Sequence, residues 1–115
     1  MDADGADHLV CDHLFHVFAL LGKRWNGLII GALLGGPARF SELERGIPGI
    51  GGPMLSRRLV ELAEVGLVER HVETGPPIEV SYRLTPAGEG LRPSVEELRR
   101  WGERFCGSPP PPACS

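Results

Sequence analysis

At 115 residues the chain can build one domain around one core and is too short for two independent ones. Hydrophobic residues make up 42% and charged residues 23%, at a mean hydropathy of -0.05, a balance that excludes a disordered chain or a membrane-embedded one. Twelve Lys and Arg against fifteen Asp and Glu leave a net charge of -3, so the chain is not a uniformly basic nucleic-acid binder, and any field favourable to DNA has to be local.

Residues 1–9 read as a flexible acidic leader, with Asp2, Asp4 and Asp7 ahead of Asp12. No basic segment followed by an apolar run and cleavage site opens the chain, and the apolar stretch Leu28 to Leu34 is far too short to span a bilayer, so a cytoplasmic location without membrane contact is expected. Val10 to Leu21 places Leu14, Phe15, Val17, Phe18 and Leu21 on one helical face, and Gly22 ends that helix. Trp25 to Leu34 reads as a second, strongly apolar helix with Leu28, Ile29, Ala32 and Leu33 in the core, broken by Gly35, Gly36 and Pro37. Ser41, with Glu44 three residues on, forms a capping-box pattern for a short helix whose Leu43 and Ile47 face inward, and Pro48 and Gly49 then turn the chain. Pro53 suits the first turn of the next helix, where Leu55, Leu59 and Leu62 repeat at helical spacing until Gly66 stops it. Leu67 to Thr74 and Ile78 to Thr85 read as two strands joined through Gly75, Pro76 and Pro77. Thr85 caps and Pro86 begins a last helix carrying Leu91, Val95, Leu98, Trp101 or Gly102, and Phe105, after which residues 107–115, GSPPPPACS, read as a disordered proline-rich tail. The fold class is α+β, mostly α, with about five helices and two strands over residues 10–106.

A short helix, a Pro-Gly turn, a second helix and a hairpin describe a helix-turn-helix leading into a wing, a unit that holds its second helix outward at the angle a DNA major groove requires. With the leucine stripe inward, Met54, Ser56, Arg57, Val60, Glu61 and Glu64 lie outside and Arg58 lies on the flank. Arg57 is then placed to reach a base edge, and Arg58 a phosphate or an internal carboxylate; the alternative leaves both merely solvated. Lys23, Arg24, Arg39, Arg45, Arg57, Arg58 and Arg70 supply local positive charge that Glu42, Glu44, Glu61, Glu64 and Glu69 offset. The apolar residues of the first and last helices, Leu14, Phe15, Phe18, Leu98, Trp101 and Phe105, exceed what one small core covers and point to a homodimer interface. Cys11, Cys106 and Cys114 are odd in number and without an export signal, which argues against a disulfide framework. His8, Cys11, His13 and His16 have two i, i+3 pairs, but these are rotated apart on a helix and do not converge on one metal ion. No phosphate loop, nucleophile elbow or paired carboxylates support an enzyme, and neither cofactor nor metal is called for.

LGKRW at Leu21 to Trp25, GPARFSELERGIPGI at Gly36 to Ile50, LSRRLVELAEVGLVER at Leu55 to Arg70 and VSYRLTPAG at Val80 to Gly88 together resemble the HxlR family, bacterial winged-helix transcriptional regulators related to the MarR group. The resemblance runs in order over about four fifths of the chain, more than any single motif carries. It implies a homodimer joined through its first and last helices, two recognition helices in successive major grooves of a pseudo-palindromic operator, and a repressor or autoregulator, in some relatives responsive to oxidants or electrophiles. Matched by position, Arg39 and Ser41 stand at the phosphate-contacting entry to the first helix of the pair, and Met54, Ser56, Arg57 and Arg58 on the recognition helix. Gly51, Gly52 and Pro53 depart from the family's polar residues there, which shifts readout to Arg57 and to backbone N-H groups at the helix start. Glu79 stands near the wing tip where a basic residue is common, so the wing is expected to lean on Arg70, His71 or Arg83. Cys11 matches the redox-sensing cysteine of some relatives, although Asp12 beside it opposes thiolate formation; a buried small hydrophobe is the alternative. Two further readings stay open: a winged helix with weak or lost DNA binding that serves protein interaction, and a regulator that answers a small ligand or other inducer without thiol sensing.

Overall fold

Leucines spaced four and three residues apart line one side of a helix, and in the computed structural model, which describes residues 9–107, that side is sealed against the rest of the chain. Leu55, Leu59 and Leu62 are at most 2% exposed. They lie in the fourth of six helices. In chain order the elements are α1 (Asp12–Leu21), α2 (Asn26–Leu33), β1 (Ala38–Arg39), α3 (Phe40–Gly46), α4 (Gly52–Glu64), β2 (Val68–Glu73), β3 (Glu79–Leu84), α5 (Pro86–Glu89) and α6 (Arg92–Phe105). One core gathers Ile29, Ile30 and Leu33 of α2, Leu43 of α3, the three leucines of α4, Val68 of β2 and Leu84 of β3, together with Leu34, Ile47 and Ile50 from the connections. The domain is therefore mostly helical with a small antiparallel sheet, as the pattern of elements predicts. The leader and tail expected at 1–9 and 107–115 lie, except for Leu9 and Gly107, outside the described residues. Among the described residues no helix is long and apolar enough to cross a membrane.

Helix α2 corrects the expected core. Asn26, Ile29, Ile30 and Leu33 are its buried residues, whereas Leu28 and Ala32, one turn apart on the opposite stripe, face outward. Asn26 is completely buried, and its Nδ2 donates to the Leu20 carbonyl at 3.0 Å, tying the end of α1 to the start of α2. A buried amide with a partner of this kind fixes geometry more than it adds stability.

The sheet has a strand the pattern does not announce. β1 pairs antiparallel with β3, Ala38 opposite Tyr82 and Arg39 opposite Ser81, and the strand order is β1-β3-β2. Two residues are too few to show an alternation. β2 and β3 form the wing, in register from Val68 opposite Leu84 to Glu73 opposite Glu79. α3 begins at Phe40, so Ser41 lies inside the helix and is not its cap; Glu42 does that work, its Oε1 accepting from the Arg39 backbone N-H at 2.8 Å. The single last helix expected after Thr85 is two. Thr85 Oγ1 accepts from the Gly88 N-H at 3.2 Å to open the one-turn α5, and the chain restarts as α6 because Pro93 has no N-H to continue the ladder. Arg92 fastens the restart by donating to the Leu34 carbonyl at 2.9 Å and to Glu89 at 2.8 Å.

The passage from α4 into the wing depends on Gly66, at φ +82°, where a side chain is disfavoured. Its N-H donates to Ala63 and the Leu67 N-H reaches back to the Leu62 carbonyl at 3.0 Å, closing the helix and aiming β2. Thr85 Oγ1 in turn donates to the Gly66 carbonyl at 2.6 Å, locking the base of the wing to the end of α4.

Candidate nucleic-acid interface

Burial of the leucine stripe turns the other side of α4 to solvent, where Ser56, Arg57, Val60 and Glu64 are exposed. Among the described residues Arg57 has no ion pair or side-chain hydrogen bond, so its guanidinium is available to an external partner. Two residues expected on this face are elsewhere. Met54 is half-buried and packs on the core, and Glu61 is half-buried on the flank, because both lie nearer the leucine stripe than Arg57 does.

Arg58 is held by that flank. Its side chain is 15% exposed; Nε donates to Met54 Sδ at 3.4 Å and Nη1 to Glu61 Oε1 at 2.6 Å. The same Glu61 oxygen accepts from Lys23 Nζ at 3.1 Å, from the connection between α1 and α2. Of the partners open to Arg58, a phosphate or an internal carboxylate, it holds the carboxylate. The hydrogen bond from Lys23, aided by the positive charges of Arg58 and Lys23, keeps the Glu61 carboxyl below its ordinary value against the opposing cost of partial desolvation. The carboxylate is thus ionised at neutral pH, and the pair weakens only under acidic conditions.

A second ion pair joins the entry of α3 to the wing. Arg39 is exposed, and its Nη2 donates to Glu79 Oε1 at 3.1 Å. Glu79, near the wing tip, therefore stands against the arginine expected at the phosphate-contacting entry to α3. Ser41 is exposed on α3, and Arg70 is exposed on β2. His71 contacts Glu73 Oε2 through Nε2 at 2.8 Å, and Arg83 is half-buried with its Nε unpartnered. At the amino end of α4, Gly51 precedes the helix without a side-chain cap. A Cβ built on Gly52 would stand 3.1 Å from Glu44 Oε2, so that carboxylate lies beside the leading edge of the helix.

The terminal helices present a different surface. Neither α1 nor α6 contains a buried residue. Leu14, Phe15 and Phe18 on α1 and Leu98, Trp101 and Phe105 on α6 are all exposed, Phe18 at 61% and Trp101 at 57%. The rings of Trp101 and Phe105 are neighbours, with centroids 5.5 Å apart and planes tilted by 39°. Cys11 is exposed rather than the buried hydrophobe of the alternative reading, because it precedes α1 and caps it: its Sγ accepts from the Leu14 N-H at 3.4 Å. Among the described residues no three His, Cys, Asp or Glu side chains converge as a metal site.

What sequence reasoning missed is the pairing. The i, i+3 spacing of Arg58 and Glu61 was a usable signal; Lys23 with Glu61 and Arg39 with Glu79 lie 38 and 40 residues apart, beyond any local pattern.

Compared with known proteins, residues 20–109 match the family model described as HxlR-like helix-turn-helix. The HTH-type transcriptional regulator YodB of Bacillus subtilis is 44% identical over 97 residues, spanning 84% of this chain and 87% of that protein. Quinone-bound YodB superposes with a TM-score of 0.71 at 43% identity, covering 84% of this chain and all of that one. The redox regulator HypR in its oxidised form superposes with a TM-score of 0.74 at 35% identity, covering 82% and 96%.

Proposed function

Because the chain belongs to the HxlR-like helix-turn-helix family of transcriptional regulators, we propose that it works as a homodimer on a pseudo-palindromic operator, as a repressor or autoregulator whose hold on DNA is released by oxidation or electrophile attack at Cys11. The family is non-enzymatic, and the chain is a regulator rather than a catalyst. The observation that carries the DNA reading is the unpaired Arg57 on the solvent side of α4, on a helix clamped by the core and locked to the wing through Gly66 and Thr85. Arg57 reads a base edge, Arg39 and Ser41 meet phosphates ahead of it, and Arg70 and His71 serve the wing. Arg58 acts beside them as a flank residue whose charge is shared with Glu61. The dimer reading is supported by two terminal helices that hold no fully buried residue yet expose Phe15, Phe18, Leu98, Trp101 and Phe105.

For the thiol, support comes from the exposure of Cys11 at the amino end of α1, and from relatives solved quinone-bound or as a redox regulator. Fluorescence-anisotropy titration of the reduced protein against the DNA upstream of its own gene tests the core of the proposal: saturable, salt-dependent binding is expected, and its absence refutes it. The thiol part is tested separately. Cys11→Ser is expected to stay on DNA through treatment with peroxide or a quinone that releases the parent protein; release of both proteins alike removes Cys11 from the mechanism.

A further inference from the structure

Of the cations around the helix-turn-helix, Lys23, Arg39 and Arg58 are already matched by carboxylates of the chain itself. Glu79 Oε1 sits 3.1 Å from Arg39 Nη2, and Glu61 Oε1 sits 2.6 Å from Arg58 Nη1 and 3.1 Å from Lys23 Nζ. Both pairs bridge separate elements, the first from β3 of the wing to the residue before α3, the second from α4 to the connection ahead of α2. A carboxylate oxygen accepting from a guanidinium or ammonium occupies the position a DNA phosphate oxygen would take.

We infer that Glu61 and Glu79 are specificity-determining residues that stand in for phosphate: they neutralise Lys23, Arg58 and Arg39 in free protein, withholding backbone affinity from DNA in general. This rests on the DNA-binding reading above and deepens it. Sequence-independent affinity comes from cations that displace counterions from phosphates. Each cation already matched within the protein brings no such gain unless its carboxylate is displaced. Arg39, Lys23 and Glu79 are all substantially exposed, and exposed pairs are weak, so a well-placed phosphate can exchange for the carboxylate. That exchange is favourable only where Arg57 has docked on matching bases and brought the backbone into register. Arg58, more deeply set, changes partner least. The negative net charge of the chain then belongs to its selectivity: non-operator DNA meets a nearly neutral surface, and the operator meets one whose cations are released at contact.

The test uses the full chain and its isosteric variants Glu61→Gln and Glu79→Gln, with Glu89→Gln as a control for the same change in net charge away from this surface. Anisotropy titrations against a mixed-sequence duplex are run between about 50 and 200 mM salt, with melting curves to verify folding. The expected result is that Glu61→Gln and Glu79→Gln bind this duplex several-fold more tightly than the parent, with the slope of log K against log salt steeper by about 0.9 for each cation that now meets a phosphate. Glu89→Gln is expected to show no such gain, and the gain of Glu79→Gln is expected to vanish in Arg39→Gln/Glu79→Gln. Binding by the two variants where the parent is silent also supports the inference. Unchanged affinity and slope in both variants while the parent binds, or an equal gain in Glu89→Gln, overturns the inference and leaves the DNA reading standing. Failure of the parent and every variant to bind any duplex at low salt overturns the DNA reading, and this inference with it.

Discussion

Replacing Arg57 by alanine isolates base reading from everything else on the recognition helix. The side chain is exposed and, among the described residues, makes no intrachain hydrogen bond or ion pair, so its removal leaves no group in the fold unpaired. Stability is expected to change by less than about 0.5 kcal/mol, as for surface positions of this kind. A guanidinium meeting a guanine edge in bidentate fashion contributes about 1–3 kcal/mol of discrimination against the wrong base. At each half-site the ratio of operator to non-operator affinity is therefore expected to fall about five- to 150-fold. Arg58 supplies the internal comparison. It is 15% exposed and bound to Met54 and Glu61, so Arg58→Ala removes packing and leaves the Glu61 carboxylate to Lys23 alone. That variant is expected to lower the melting temperature with the ratio preserved, because Arg58 is the cation least available to a phosphate. Competition anisotropy with operator and mixed-sequence duplexes at one salt concentration measures both ratios. An unchanged ratio in Arg57→Ala, or its collapse in Arg58→Ala with Arg57 intact, refutes the assignment of the two arginines.

Further predictions follow from the same geometry. Leu59→Ala opens a cavity in the sealed face of α4 and is expected to cost about 2–5 kcal/mol, read as a lower midpoint in urea with an unchanged slope. Gly66→Ala forces a Cβ into a left-handed backbone and is expected to cost about 1–2 kcal/mol, whereas Gly46→Ala, with nothing within 4 Å of the new atom and no positive φ, is expected to be neutral or stabilising in the same thermal melts. Phe18→Glu, on the exposed face of α1, is expected to leave the domain folded and to convert the proposed dimer to monomer in sedimentation velocity at micromolar concentration; a sedimentation coefficient equal to the parent's refutes an interface at Phe18.

The helix-turn-helix was legible because its signals are local. Leucine spacing, Gly66 as a stop and the two β-rich runs each follow from a few neighbouring residues, and the core of α4 agrees with them residue by residue. Elsewhere a non-local partner or a near tie decides the outcome. Ser41 and Glu42 both lie at the helix entry, and the chain closed it through Glu42 and the Arg39 backbone. In α2 nearly every residue is apolar, so composition could not say which stripe faces inward; contact with α1 and the sheet selected Ile29, Ile30 and Leu33 over Leu28 and Ala32. β1 exists only because β3 passes beside Ala38 and Arg39. Candidate interface residues can be named as types and faces, and the i, i+3 spacing of Arg58 and Glu61 points to one pair, but the commitment of Lys23 and Arg39 to carboxylates 38 and 40 residues away depends on tertiary placement that no spacing encodes.

Helices α1 and α6 hold no fully buried residue and meet the core through only a few partly buried side chains such as Leu20, Leu21 and Val95, which leaves their outer faces outside the folding constraints of the domain. Outside the few ties that anchor them, such as Asn26 to Leu20 and Arg92 to Leu34, substitutions along their outer faces meet no packing constraint from the folded monomer. A survey of folding alone would score these faces as tolerant, and under the proposed dimer a survey of assembly would score them as intolerant. If the proposed dimer is joined there, duplicated copies of such a gene can diverge in which partner they accept by changing these two helices while the winged body stays as it was.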